Sequence, residues 1–168
     1  MRLTRPDVKW KEEHEAYVSE WGSSRMIPSS FNLNGYESYE AYLDALSIRE
    51  NGNGKWLPST NYFLVDEHER VLAMVDIRHE LNDHLYNAGG HIGYSVRPCE
   101  RRKGYATRIL AEALMKCKEL GIHKVLVTCD ADNIGSAKTI LHNGGVEDRP
   151  FMADNGNVVR RFWIDNSF

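Results

Sequence analysis

Arg101-Arg102-Lys103-Gly104-Tyr105-Ala106-Thr107 follows the alternating run His91-Ile92-Gly93-Tyr94-Ser95-Val96 and opens a helical pattern that continues to Leu120. A strand, a basic turn holding a glycine, and then a helix start make an anion-binding arrangement. The first N–H groups of a helix lack intrahelical acceptors, and the helix dipole adds partial positive charge there. Gly104 lets the backbone approach an anion with no Cβ in the way. Arg101, Arg102 and Lys103 bring full charges beside it. Cations at a helix start oppose the dipole, so they call for an anionic partner. The plainer alternative is a basic helix start that faces water.

Outward from this turn the chain alternates strands and helices. The helix carries Ile109, Leu110, Ala113, Leu114 and Cys117 on one face and ends at Gly121. Lys124-Val125-Leu126-Val127-Thr128-Cys129 is almost continuously apolar, as in a strand covered on both faces. Ser136 to Asn143 reads as a short helix stopped by Gly144-Gly145. Val146–Phe151 and Val158–Ile164 flank the hairpin turn Asp154-Asn155-Gly156-Asn157. Upstream, Asn61–Val65 and Val71–Ile77 are strand-like runs, and Leu81–Ala88 is a linker with room for a helical turn. Helical spacing predicts helices over Val8–Trp21 and Tyr39–Arg49, separated by a polar loop from Ser23 to Gly35, with a break at Asn51-Gly52-Asn53-Gly54. Met1–Thr4 is a short strand ahead of Pro6. The order β-α-α-β-β-β-α-β-α-β-β predicts an α/β fold around a mixed sheet.

Spacing separates the candidate ligands. Neither the P-loop string G-x-x-x-x-G-K-S/T nor the dinucleotide string G-x-G-x-x-G occurs. What stands here is Arg101-x-x-Gly104-x-Ala106. This resembles the Gln/Arg-x-x-Gly-x-Gly/Ala signature of the GNAT family of N-acetyltransferases, and the element order resembles that fold over nearly the whole chain. The resemblance is strongest from Gly89 to Gly145. It implies a GNAT-like acyl-CoA N-acyltransferase fold, with a central mixed, mostly antiparallel sheet and helices on both faces. It also implies one domain over 1–168, with residues 1–60 as acceptor-side helices and 61–168 as the acetyl-CoA-binding core.

On the same resemblance, Arg101 to Thr107 hold the pyrophosphate of acetyl-CoA, the cosubstrate. The backbone of Tyr94, Ser95 and Val96 meets the pantetheine arm and the developing oxyanion of the thioester. Asn133 and Ser136, after the buried strand, occupy the second cofactor segment, although either also suits a plain helix N-cap. Many relatives carry a Tyr four residues before the glycine that ends the last helix. That position is Ile140 here, so the usual acid is missing.

The chemistry still requires proton transfer, because an amine with a pKa near ~10.4 must become neutral to attack. The candidates for catalysis are His91, Tyr94 and His142, with His79 and Glu80 behind them. Among seven histidines most serve as surface or structural residues. His79-Glu80-Leu81-Asn82-Asp83-His84 has one residue too many for H-E-x-x-H, so no metal is expected. The expected activity is acetyl transfer from acetyl-CoA to an amine acceptor by direct attack. The alternative is a non-catalytic acyl-CoA sensor or regulatory module on the same scaffold.

Composition bounds the partners. The chain has 168 residues, 42% hydrophobic and 27% charged, with a net charge of −3. That balance gives no case for nucleic-acid binding, and no apolar stretch approaches membrane-spanning length. Cys99, Cys117 and Cys129 are odd in number and widely spaced, which with the lack of an apolar leader predicts a cytoplasmic protein with reduced thiols. Glutamates in the first 40 residues suit a cationic amine or a solvated helix face equally. A homodimer is compatible with all of this, and nothing in the sequence requires one.

Overall fold

The computed structural model describes residues 1–52 and 54–168, so Asn53 of the expected break lies outside the described residues. Strand β1 is Arg2–Thr4. The helix expected from Val8 begins instead as a 3-10 turn, Val8–Trp10, because the Asp7 side chain accepts the Lys9 N–H and tightens the entry. Helix α1 then runs Lys11–Ser19. Helix α2, Tyr39–Asn51, is capped by Ser38, whose Oγ accepts the Ala41 N–H at 3.0 Å. Between the two helices the chain makes a short 3-10 turn at Ser29–Phe31.

Strands β2 (Ser59–Val65) and β3 (Val71–Arg78) form the expected hairpin, followed by helix α3 (Asp83–Ala88) and strand β4 (Ile92–Val96). These strands make an antiparallel sheet ordered β1-β2-β3-β4. Helix α4 (Tyr105–Glu119) crosses to β5 (Lys124–Asp130), and helix α5 (Ile134–His142) leads to β6 (Val146–Met152) and β7 (Val158–Asp165). The second sheet is ordered β5-β7-β6.

The central sheet is therefore parted between β4 and β5. The α4 crossover makes these two strands parallel, yet no ladder joins them among the described residues. Their backbones meet where the His91 N–H donates to the Leu126 carbonyl at 2.7 Å. Gly90, with φ +68°, makes this approach: a Cβ there would stand 2.5 Å from the Leu126 oxygen.

One core bridges both sheets. Ala73, Val75, Ile77 and Ile92 from the first sheet meet Val125, Val127, Phe162 and Ile164 from the second, under the apolar stripe of α4 and Ala137 and Ile140 of α5. Each fully buried Ile or Leu contributes roughly 1.5–3 kcal/mol. On the opposite face of the first sheet a second cluster joins Trp10, Tyr17, Phe31, Phe63 and Met74. The opposite face of the second sheet is covered by α3, whose Tyr86 ring lies over Arg161 at 4.7 Å. Helices thus cover both faces, and α4 holds the two sheets together across their gap.

Candidate functional site

The gap between β4 and β5 opens toward the start of α4. Two left-handed residues shape the turn there, Arg102 at φ +64° and Gly104 at φ +84°. Alternation of this kind converges backbone N–H groups into an anion-binding concavity. No side chain caps the helix, so the N–H groups of its first turn remain available to a ligand. A left-handed Arg is strained by about 1 kcal/mol or more; the composition of the turn showed its charge but not this backbone state. A Cβ on Gly104 would meet nothing within 4 Å, so the approach to the backbone is open.

The three cations of the turn are exposed but differently held. The Arg101 guanidinium lies 5.1 Å from the centre of the Trp21 ring. Lys103 Nζ pairs with Glu100 at 2.7 Å. The loop is fixed from below by Arg97, only 4% exposed, which binds Glu20 at 2.6 Å and Glu13 at 2.8 Å. Glu20 also accepts the Cys99 N–H at 3.2 Å. Two glutamates read as helix-face charge thus tie α1 to the loop. Their only sequence signal is an i, i+7 acidic pair near a conspicuous basic turn.

Along β4 the side chains alternate. Tyr94 faces α5, where its hydroxyl lies 2.8 Å from Ser136 Oγ. Ser136 in turn donates its N–H to Asn133 Oδ1 at 3.0 Å, the N-cap bond of α5. The structure thus brings Tyr94, Asn133 and Ser136 together at one end of the gap, with Asn133 as the N-cap of α5. Burial raises the Tyr94 pKa, so the phenol is protonated at neutral pH. Ser95 faces the other way, its Oγ 2.9 Å from the Tyr17 hydroxyl.

The histidine candidates separate by environment. His91 Nδ1 accepts the Leu126 N–H at 3.0 Å, so side chain and backbone both pin β4 to β5. Burial, with a smaller push from Arg78, lowers its pKa to about 4. Its one imidazole lone pair is used by that bond, which leaves no lone pair for a substrate proton. His142 is exposed at the last turn of α5, at the other end of that helix from Ser136. His79 Nε2 lies 2.7 Å from Thr60 Oγ1, and Glu80 is exposed. Ile140 is wholly buried in the core, and a Cβ on Gly145 would stand 2.6 Å from its Cγ2.

A family model described as an acetyltransferase (GNAT) domain matches residues 8–146. No curated protein sequence matches the chain. Among solved structures, a variant of spermidine N-acetyltransferase from Vibrio cholerae superposes with a TM-score of 0.70 at 15% identity, covering 99% of this chain and 96% of that one. A dodecameric structure of the same Vibrio cholerae enzyme gives 0.67 at 16% identity, over 99% and 94%. A candidate phosphinothricin N-acetyltransferase gives 0.64 at 19% identity, over 99% of both chains.

Proposed function

Because the chain belongs to the GNAT acetyltransferases, we propose that it moves the acetyl group of acetyl-CoA to an amine acceptor by direct attack in a ternary complex. The observation that carries this reading is the uncapped start of α4, with its left-handed Arg102 and Gly104, standing at the mouth of a parted sheet. The turn Arg101–Thr107 takes the pyrophosphate. The free edge of β4 at Tyr94, Ser95 and Val96 takes the pantetheine arm, with Asn133 and Ser136 on its far side.

In the reaction the amine first loses a proton to water. Its lone pair then forms the C–N bond at the thioester carbonyl, and the C–S bond breaks. Backbone N–H groups of β4 hold the oxyanion between these events. The nitrogen, cationic once the C–N bond has formed, gives its second proton to solvent, and the departing thiolate takes one from solvent or from the Tyr94 phenol, which burial keeps protonated. Holding both reactants in one cleft supplies much of the acceleration. A multimer fits this reading, since the dodecameric neighbour has the same fold.

The buried Ile140 favours a second reading, an acyl-CoA sensor without turnover. Calorimetry with acetyl-CoA, followed by mass-spectrometric detection of acetylated products across pooled amines, amino acids and basic peptides, separates the two. Binding with a new acetylated product is the expected result. Binding without any product supports the sensor, and absence of binding removes both readings.

A further inference from the structure

The proposed reaction gives His91 no proton to carry, yet the joint between the two sheets is built around it. In a strand the N–H and C=O of one residue point to the same side, and an antiparallel pair bonds through every second residue. The Arg97 N–H donates to the Leu72 carbonyl at 2.9 Å, and the Arg78 N–H donates to the His91 carbonyl at 2.7 Å. In the register of β3 with β4, these bonds turn the backbone groups of Gly93 and Ser95 to β3. Those of Ile92, Tyr94 and Val96 turn to the gap. The His91 carbonyl therefore goes to β3 while its N–H goes to Leu126 of β5. The chain reverses its bonding side within this one residue.

On β5 the Ala131 N–H donates to the Val158 carbonyl, and past its start the Asn166 N–H donates to the His123 carbonyl. The register with β7 then turns the backbone groups of Leu126 and Thr128 to the gap. A regular parallel ladder would send the Leu126 N–H to the Gly89 carbonyl. That carbonyl is held by Arg78 Nη1 at 3.0 Å, which also reaches the Gly90 carbonyl at 3.3 Å. Asp76 Oδ2 steadies the same guanidinium through Nε at 3.2 Å. The Leu126 N–H donates to His91 Nδ1 instead, at 3.0 Å. The imidazole thus replaces a strand carbonyl, satisfies a buried N–H and ends the ladder. From the next residue on the strands part.

The joint is tight as well as bonded. His91 is 7% exposed, and a Cβ on Gly90 would stand 2.5 Å from the Leu126 oxygen, so even a methyl group on that backbone has no room against β5. Outward from the joint the gap-facing groups run through Ile92, Tyr94 and Val96 toward the turn before α4. The slot is open at that turn and closed at His91.

We propose that His91 is the acyl stop of the donor slot: by pinning Leu126 it fixes where the slot ends and holds the transferred group to acetyl size. A donor with its phosphates at the turn and its arm along Val96 and Tyr94 directs its acyl end at this joint. Each methylene beyond acetyl presses on close-packed, bonded backbone. His91 is a positioning residue in this role, since it acts through Leu126. The assignment rests on the acetyl-transfer reading and adds the donor class to it, short acyl thioesters of CoA.

The test needs no acceptor. Calorimetry gives Kd for CoA and for its acetyl, propionyl, butyryl and hexanoyl thioesters with the wild-type protein, His91→Ala and His91→Asn. Asn places an amide oxygen where Nδ1 stands and can take the Leu126 N–H, whereas Ala cannot. In the wild type, Kd should rise about 10-fold from acetyl to propionyl and further at butyryl. In His91→Ala the acetyl-to-butyryl ratio should shrink to about 3-fold or less, and His91→Asn should keep the wild-type series. Hydrogen exchange reads the clamp itself: the Leu126 amide should exchange at least about 10-fold faster in His91→Ala, and as slowly as wild type in His91→Asn. A merely structural role weakens CoA and every thioester alike, so a uniform loss in His91→Ala overturns the proposal. A wild type that binds hexanoyl-CoA as tightly as acetyl-CoA overturns it too, leaves acetyl transfer standing, and holds even where His91→Ala does not fold. A wild type that binds neither CoA nor any thioester removes the parent reading and the stop with it.

Discussion

The turn that opens α4 and the helical region before β2 are both rich in polar residues, and they are built in opposite ways. In the turn, Arg101, Arg102, Lys103 and Gly104 are all exposed, and no side chain caps the backbone N–H groups that follow. In the helical region a group of polar side chains is inside and bonded within the chain. His14 is fully buried, with Nδ1 3.0 Å from the Tyr39 hydroxyl and Nε2 2.8 Å from the Phe31 carbonyl. The rings of Phe31, Tyr39, Tyr42 and Phe63 meet its imidazole edge to face. Tyr42 donates to the Ser30 carbonyl at 3.1 Å, and Asn61 donates to Ser30 Oγ at 2.9 Å. The turn leaves the N–H groups at the start of α4 without a side-chain cap. Around His14 the helical region supplies its own partners.

The contrast breaks most sharply at Gly104. Gly104→Asp places a carboxylate among the N–H groups meant for an anion, on a backbone at φ +84°. Acetyl-CoA affinity measured by calorimetry should drop by more than about 100-fold, while the fold loses only about 1 kcal/mol for the left-handed side chain. Unchanged affinity would sink the loop assignment.

Acid attacks the other region. Burial lowers the His14 pKa from 6.5 to about 4. The folded state therefore binds fewer protons than the unfolded chain below pH 6.5, and stability falls as pH drops from there toward 4. The loss amounts to about 3 kcal/mol from this residue. His91, shifted in the same direction, steepens the slope. Urea melts at pH 7.5 and 4.5 measure it, and His14→Gln should lower stability at pH 7.5 while flattening the dependence. A profile unaltered by that substitution would mean His14 is not the group responsible.

The smallest effect sharpens the comparison. Arg101→Ala removes an exposed charge whose other contact is the Trp21 face. Acetyl-CoA should bind only a few-fold more weakly, about 1 kcal/mol or less, and the difference should shrink at high salt. A loss as large as that of Gly104→Asp would mean that side-chain charge, not backbone, dominates the turn.

The same division explains what could be read before the structure. A glycine after three cations at a helix start encodes a local backbone state, so the turn, α4 and the N-cap at Asn133 were legible from a few adjacent residues. Asp76 sits in Val71-Leu72-Ala73-Met74-Val75-Asp76-Ile77, a charge in an otherwise apolar strand, and that alone was a signal. Its partner Arg78 lies two residues on, on the same face of the strand, but its burial depends on the register of β3 between β2 and β4, which no local pattern encodes. His91 looked like a base because of its residue type. Its bond to the Leu126 N–H comes from a strand 35 residues away. Val8–Trp21 carried helical spacing throughout, yet its first turn tightened around the Asp7 cap.

The contact between Arg101 and Trp21 carries one more implication. An indole emits according to the field across its ring, and here a full positive charge rests 5.1 Å above it. A phosphate arriving at the turn should draw that guanidinium away or shield it, and the emission wavelength of Trp21 should move with it. Occupancy of the turn should then register in the protein's own fluorescence, and a stopped flow would follow it without a label or a coupled reaction.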